Sequence, residues 1–458
     1  MNIEEESLNT LLAKIKERIK PSRELTAKVD GLVNEVKTLI CKIVEENNIP
    51  VEITLTGSYA KGTWLPQKLE VDVFLMYNSK KDIANRGVTD LEYFKKIFEH
   101  WEDRHAQHPY ISGVYKGLSI DIVPAVKIRD STEKVTAVDR SPLHTKYVLS
   151  KVNDEMKGEI RLLKSFLIAQ KLYGAEIKTK GFSGYLCELL IIYYKKFLNL
   201  LKHCLSWREG EIIILEDVKP EDVRKQFTDP LIVIDPVDYN RNVASPVGKE
   251  TLQKFIKTVR EFLEKPSERF FFPVEVTPLK PEEVKNRVKN MFFIITKIPK
   301  IPVDNLWGQL HRSLNGIKKF LELNGFEVEA AYVWSNEKNE SVFIFKMRKF
   351  LRDETEKKLG PPVNTIGERE FREKYESNKR VKAFYIEDGR WVALIRREDY
   401  DLKNFLKNKF KNKLEMISLG KNLRSVFQAS FEILFEDEIL AKYVENKDFA
   451  KFLTELLS

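Results

Sequence analysis

The chain of 458 residues is too long for a single hydrophobic core, and a typical domain size divides it into about three. Its 43% hydrophobic and 32% charged residues are those of a globular protein, and apolar runs such as 189–194 are too short to span a bilayer, which excludes an integral membrane helix. A net charge of +9, from 78 Lys and Arg against 69 Asp and Glu, favours a polyanionic partner, while Cys41, Cys187 and Cys204 lack the spacing of a zinc cluster or a disulfide framework. The acidic start, Asn2 to Glu6, is not a secretory signal, so a cytoplasmic protein is expected.

Apolar positions at helical spacing run through residues 3–48, and Pro21 splits them into two helices whose role is packing. A strand is expected over 51–55, then a Gly57-Ser58 turn, a polar bend at Pro66-Gln67-Lys68 and a second strand that carries Glu70 and Asp72. Alternation puts these two acids on one face and Val71, Val73 and Leu75 on the other. Neighbouring carboxylates repel, and an otherwise apolar strand carries them readily only with a divalent cation to offset the charge. For an isolated E-V-D the polar face of an edge strand is the commoner explanation. Residues 90–101 read as a helix, followed by strands over 111–115 and 118–123. The last of these places Leu118, Ile120 and Ile122 on one face and Asp121 on the other.

A Gly-Ser turn, an E-x-D whose first acid lies twelve residues beyond the serine, and a third strand acid together match a site for nucleotidyl transfer. Two metal ions about 3.5–4 Å apart can hold a triphosphate, activate a hydroxyl and stabilise leaving pyrophosphate. In this reading Glu70 and Asp72 hold both ions. Asp121 contacts the one at the attacking hydroxyl and accepts its proton. Gly57 lets the backbone approach the phosphates, and Ser58 supplies a donor.

Further along, Lys164 lies in a helix with Ile160, Leu163, Phe166 and Leu167 as its apolar face, and by pattern alone is a solvated flank. GFSGYLCELL reads as a glycine turn and a buried helix, in which Tyr185, Cys187 and Glu188 are expected to be structural. Cys187 has no partner base at readable spacing and is rejected as a nucleophile. From Pro266 the segment RFFFP reads as a change of domain. Beyond it, strands over 291–296, 329–334, 341–346 and 391–395 alternate with helices over 306–323 and 368–375, an α+β pattern with antiparallel strands. The tail from Lys403 to Arg424 has seven Lys or Arg against Glu415 alone, interleaved with Phe405 and Phe410; by pattern it is a solvated helix face.

The segments GSYAKGTWLPQKLEVDVFL, HPYISGVYKGLSIDIVP, AVDRSPLHTKY, RLLKSFLIAQKLYGAE, GFSGYLCELL and DPVDYNRNVA resemble the archaeal, class I CCA-adding enzymes, tRNA nucleotidyltransferases of the polymerase-beta-like superfamily. The resemblance spans essentially the whole chain, is densest over 54–245, and persists in DNLWGQLHRSL and EDGRWVALIRR. The Gly-Ser turn and the acids indicate only the superfamily, and the later motifs single out this branch. It implies a multidomain α+β fold: a nucleotidyltransferase palm over 1–150, a helical central domain over 151–265, and a ferredoxin-like body with an RNA-binding tail over 266–458. In that context the basic stretch from Lys403 to Arg424 favours contact with a tRNA backbone.

The same resemblance implies metal binding and catalysis by Glu70, Asp72 and Asp121. It implies a grip on the triphosphate and sugar by Ser58, Lys61, Arg140, Ser141, His144, Lys164 and Tyr173, with His108 and Arg241 near the base. Lys61 stands where relatives often have Arg, and Ser141 where Thr is usual. Without the resemblance, His144 reads as a surface histidine, Arg140 as a local partner of Asp139, and Arg241 as a loop cation. The implied activity is template-independent addition and repair of the 3′-terminal CCA of tRNA from CTP and ATP with Mg²⁺, releasing pyrophosphate. A poly(A)- or oligoadenylate-synthesising terminal transferase is the rival enzyme. A non-catalytic RNA-binding module is the rival of another class, against which the three intact acids argue. The implied partners are tRNA, CTP and ATP, with no membrane; a homodimer stays open.

Overall fold

The computed structural model describes residues 3–105, 109–216, 219–273 and 275–458. Its contacts divide into two units, Met1–Val274 and Glu275–Ser458, each with its own hydrophobic core.

The first unit opens with helices α1 (Ile3–Ile19) and α2 (Arg23–Glu46), broken at Pro21 as the sequence predicts. Ser22 caps α2 by accepting the Leu25 amide at 3.0 Å. Val29, Val33, Val36, Ile40 and Ile43 recur at helical spacing on α2 and share one core with the apolar face of a mixed sheet. That sheet has the order β1-β2-β5-β4-β3, from β1 (Val51–Thr56), β2 (Glu70–Tyr77), β3 (His100–His105), β4 (Pro109–Tyr115) and β5 (Leu118–Val126). Only β2 and β5 run parallel; the other neighbours are antiparallel.

The helix expected over 90–101 is corrected here. Helical turns end at Ile97, and His100 already belongs to β3. The cause is tertiary: Phe98 fills the space over Gly113, where a Cβ would come within 2.2 Å of its ring, and Trp101 pairs across the ladder with Gly113.

The rest of the first unit is mainly helical: α3 (Ser141–Lys151), α4 (Asp154–Ala169), α5 (Gly184–Tyr194), α6 (Phe197–Cys204) and α7 (Lys249–Glu264), with a small sheet of β6 (Glu211–Ile213), β7 (Leu231–Asp235) and β8 (Asp238–Asn242). Phe166 sits at the centre of its core, with the rings of Phe197, Phe255, Phe262, Phe270 and Phe271 at 5.6–6.5 Å between centroids. Two aromatics of the RFFFP segment therefore belong to this core.

In the second unit, β9 (Met291–Lys297), α8 (Val303–Leu323), β10 (Val328–Ser335), β11 (Glu340–Met347) and β15 (Glu432–Phe435) build an antiparallel sheet of order β10-β11-β9-β15, the strand order of a ferredoxin-like fold. Between β11 and β15 the chain inserts a three-stranded sheet, β12 (Thr355–Pro362), β13 (Val381–Glu387) and β14 (Arg390–Arg396), with α9 (Glu368–Tyr375). The strands expected at 291–296, 329–334, 341–346 and 391–395 and both helices are present. β12 and β13 are additional: the lysines and prolines of β12 mask a ladder that depends on pairing with β14, and β13 pairs with the same strand.

The tail reading needs one revision. Phe405 and Phe410 are fully buried in the core of the second unit and are not interleaved with the cations on a surface. Arg424 donates to the carbonyls of Leu414 and Ile417 at 3.1 and 3.0 Å, and Lys409 pairs with Asp399 at 2.7 Å. Among the described residues no helix is long and apolar enough to cross a membrane.

Replacing Phe166 with Ala removes the ring at the centre of five others. Unfolding of the first unit in urea is expected to lose about 3–5 kcal/mol, the usual range for an aromatic cavity, read as a fall in midpoint without change of slope.

Candidate active site

The parallel pairing of β2 with β5 sets Asp72 directly across from Asp121, and Glu70 two residues earlier faces the same side. Behind them Val71, Val73, Leu118, Ile120 and Ile122 are buried, as alternation predicts. The turn after β1 approaches from the other side. Gly57 has φ +73°, and a Cβ there would stand 1.7 Å from Asp72 Oδ2, so only glycine lets this backbone pass. Burial, then Asp121 and Glu70, push the Asp72 carboxyl up to about 6. Asp121 is also raised, chiefly by burial, although Ser112 hydrogen-bonds its carboxylate.

Neither Asp72 nor Asp121 forms a salt bridge among the described residues, while Glu70 leans out to Lys68 at 3.8 Å. No three acids, histidines or cysteines among the described residues already converge on one point. Three oxygen-donor side chains on one face, two of them partly buried with no salt bridge among the described residues, nevertheless fit a hard divalent cation.

Beside the acids lies a second, cationic centre. Ser183 caps α5 by accepting the Leu186 amide, and the helix carries Glu188 in an otherwise apolar run, where it is fully buried. Its Oε2 accepts from Lys61 Nζ at 2.5 Å; its Oε1 accepts from Thr63 Oγ1 at 2.7 Å and Lys164 Nζ at 3.2 Å. Burial favours the neutral acid, but Lys61 and Lys164 outweigh it and hold Glu188 below the usual carboxylate range. Lys164 is therefore not a solvated flank: its side chain is 3% exposed. A small recess here is lined by Ser58, Glu70, Lys164 and Tyr173 among others. The hydroxyls of Ser58 and Tyr173 make no hydrogen bond within the described residues. Neighbouring Cys187 is buried and its thiol pushed up to about 12, consistent with an inert role.

A third centre forms around Asp235 at the end of β7. Its Oδ2 meets His144 Nε2 at 2.9 Å and Arg241 Nη1 at 2.8 Å; Tyr185 and the Val237 amide donate to Oδ1, each at 3.1 Å. His144 stacks on Tyr185 with centroids 4.0 Å apart, and Lys61 Nζ lies 5.7 Å over the same tyrosine ring, which joins the second and third centres. Burial lowers the His144 pKa, so at neutral pH the ring is a neutral donor. Burial raises Asp235, but His144 and Arg241 outweigh this and set it at about 2.

One turn before His144 on the chain, Arg140 donates to Asp238 at 2.6 Å, and Lys134 shares that acid. The Arg140 Nε is buried with no partner among the described residues. The adjacent Asp139 does not pair with Arg140; it accepts the amides of Val126, Val135 and Thr136 at 2.9, 2.8 and 2.7 Å. Pro142 and Ser141 open α3, and the Ser141 hydroxyl is unpartnered among the described residues.

The structure thus brings together Ser58, Lys61, Glu70, Asp72, Asp121, Arg140, Ser141, His144, Lys164, Tyr173 and Arg241 within the first unit. His108 lies outside the described residues. Sequence reasoning read Glu188 as structural without foreseeing its lysine partners, and it did not single out Asp235 or Asp238, the other acids that hold the cations. The signal available was a lone charge in the most apolar helix of the chain, since a buried carboxylate needs partners.

Three family profiles match in chain order: "Nucleotidyltransferase domain" over residues 37–144, "tRNA nucleotidyltransferase, second domain" over 158–272, and "CCA-adding enzyme, C-terminal domain" over 287–436. The chain is 34% identical to a CCA-adding enzyme of Methanosarcina acetivorans over 95% of this chain and 96% of that one. It is 35% identical to a CCA-adding enzyme of Methanocaldococcus jannaschii over 91% of this chain and 93% of that one. Among solved structures, the Cid1 poly(U) polymerase aligns with a TM-score of 0.46 at 12% identity, covering 56% of this chain and 94% of that one.

Because the folded pKa of Asp235 lies below its ordinary 3.8, its charge stabilises the protein fully above pH 4, and that contribution is lost as pH falls toward 2. Asp235→Asn is expected to cost about 2 kcal/mol at pH 7, the free energy of a shift this size. In denaturant titrations the gap from the parent should narrow steadily below pH 4. Gly57→Ala is expected to displace the Asp72 carboxylate and lower thermal stability at every pH, measured by calorimetry.

Proposed function

The chain belongs to the family of archaeal CCA-adding enzymes, and on that premise we propose that Glu70, Asp72 and Asp121 hold the divalent ions of its nucleotidyl transfer. A CCA-adding enzyme is a nucleotidyltransferase that completes the 3′-terminal CCA of tRNA, with tRNA and nucleoside triphosphates as substrates. The observation that carries the site assignment is the register pair Asp72 and Asp121, closed over by a glycine that admits no side chain. Mg²⁺ is the ion proposed; when bound, it supplies charge to the triphosphate and activates the RNA 3′ hydroxyl.

The chain's own side chains account for the remainder. Asp121, whose pKa burial raises, is suited to take the proton of the 3′ hydroxyl as its oxygen bonds the α-phosphorus and pyrophosphate departs. Ser58, Ser141 and Tyr173 offer hydroxyls with no partner among the described residues, and Lys61, Lys164 and Arg140 offer charge, so together they form a cradle for phosphates and sugar. His144 is proposed to donate from a neutral ring. Arg241, with one nitrogen tied to Asp235, keeps the rest of its planar group for a base edge, CTP and ATP being the proposed pair. His108 keeps its proposed place beside the base on the sequence resemblance.

A palm over 1–150, a helical domain over 151–265 and a tRNA-binding body and tail over 266–458 remain the proposed division of labour, in a cytoplasmic protein. The order of the three family profiles supports it.

The test is incorporation of labelled CTP and ATP onto tRNA ending at the discriminator base, with and without Mg²⁺. Addition should stop after C, C and A; unlimited A addition would sink the nucleotide assignment. Asp72→Ala should lower kcat by about 10²–10³, the scale of losing a principal electrostatic group, and Asp72→Asn should abolish the Mg²⁺-dependent rise in Tm.

A further inference from the structure

We propose that Glu188 is a positioning residue for the incoming triphosphate, setting the placement of Lys61 and Lys164; this rests on the reading of Lys61 as phosphate-facing. Their side chains are 7% and 3% exposed, and Glu188 is fully buried. Two ammonium groups in so dry a place repel each other strongly, and each needs an anion or acceptor to remain charged. Glu188 is the acid that both reach, and it receives them on separate oxygens. The two charges are thereby held side by side without sharing an acceptor atom.

The donors divide unequally. Lys164 also donates to the Thr63 carbonyl at 3.3 Å and to Thr63 Oγ1 at 3.0 Å, so its three protons are all committed inside the protein. Lys61 donates to Glu188 alone among the described residues, which leaves two of its protons uncommitted. With both lysines protonated, a state that burial opposes at Lys164 and Glu188 favours, the cluster carries a net charge of +1. It attracts phosphate while one ammonium stays anchored by Thr63 and the other stays aimed. Thr63 is itself fully buried and lies on the turn that carries Ser58, so the same carboxylate fixes both the phosphate-facing hydroxyl turn and the lysine helix.

A purely structural role for this triad predicts general destabilisation. A positioning role predicts a loss that depends on the number of phosphates. The experiment compares Kd for CTP and CMP, and KM and kcat for CTP, in full-length protein at fixed Mg²⁺ for the parent, Glu188→Gln, Glu188→Asp, Thr63→Val and Lys61→Met. In Glu188→Gln, CTP binding should weaken about tenfold, the size of one lost charged hydrogen bond, with the change in KM and little in kcat. CMP binding should be unchanged.

Glu188→Asp should recover most of the loss. Thr63→Val should show a smaller loss in the same direction and carries the test if Glu188→Gln does not fold. Equal weakening of CTP and CMP, or a fall in Tm with KM unchanged, would overturn the proposal. Lys61→Met separates the two levels. If it leaves CTP affinity intact, the phosphate-facing reading itself fails; if it weakens CTP while Glu188→Gln does not, only the role of Glu188 fails.

Discussion

One parallel strand pair governs the site. In a sheet whose other neighbours are antiparallel, β2 and β5 run the same way, and their register puts Asp72 and Asp121 side by side. A slip of one residue would turn one acid into the apolar core and an isoleucine or valine toward the solvent face, which the buried faces of both strands resist. Parallel neighbours need a long connection, and here it supplies β3 and β4, which complete the sheet beyond β5. Burial and mutual repulsion of the acids are therefore consequences of backbone pairing, sustained by Val71, Val73, Ile120 and Ile122 on the reverse side.

Around that anionic face the protein arranges cations that are themselves held by acids. Lys61 and Lys164 share Glu188, Arg241 pairs with Asp235 beside the neutral ring of His144, and Lys134 and Arg140 share Asp238. Each pairing limits how far a long basic side chain can wander, so the positive charge is positioned before a ligand arrives. Breaking such a pair by removing its acid leaves a buried cation unmatched, which is costlier than the pair is stabilising. The cations proposed to grip the nucleotide thus owe their places to residues that touch no substrate in the proposed scheme.

Local pattern made the acids legible and left their supports hidden. The alternation in EVDVFL and LSIDIV is a two-residue rule, so the facing of Glu70, Asp72 and Asp121 followed from the strands alone. Glu188 meets Lys61 across 127 positions of chain, and Asp235 meets His144 across 91, distances over which no periodicity carries information. The helix expected over 90–101 ended early because Phe98 packs over Gly113, a contact invisible before β3 and β4 pair. β12 and β13 were missed for the same reason, their strandness residing in the partner β14. Phe405 and Phe410 illustrate the converse: aromatics between lysines look alike whether they stack on bases or fill a core, and here they fill a core.

Asp139 has a mechanical consequence. By accepting the amides of Val126, Val135 and Thr136 it welds the end of the Asp121 strand to the loop that launches α3 with Ser141 and His144. Moving that helix relative to the acids would mean breaking the charge-assisted bond from Val126, while the bonds from Val135 and Thr136 hold the loop itself in shape. The β5 strand and the start of α3 are thereby held in one frame beside the acids. The weld makes this part of the enzyme an anvil rather than a hinge.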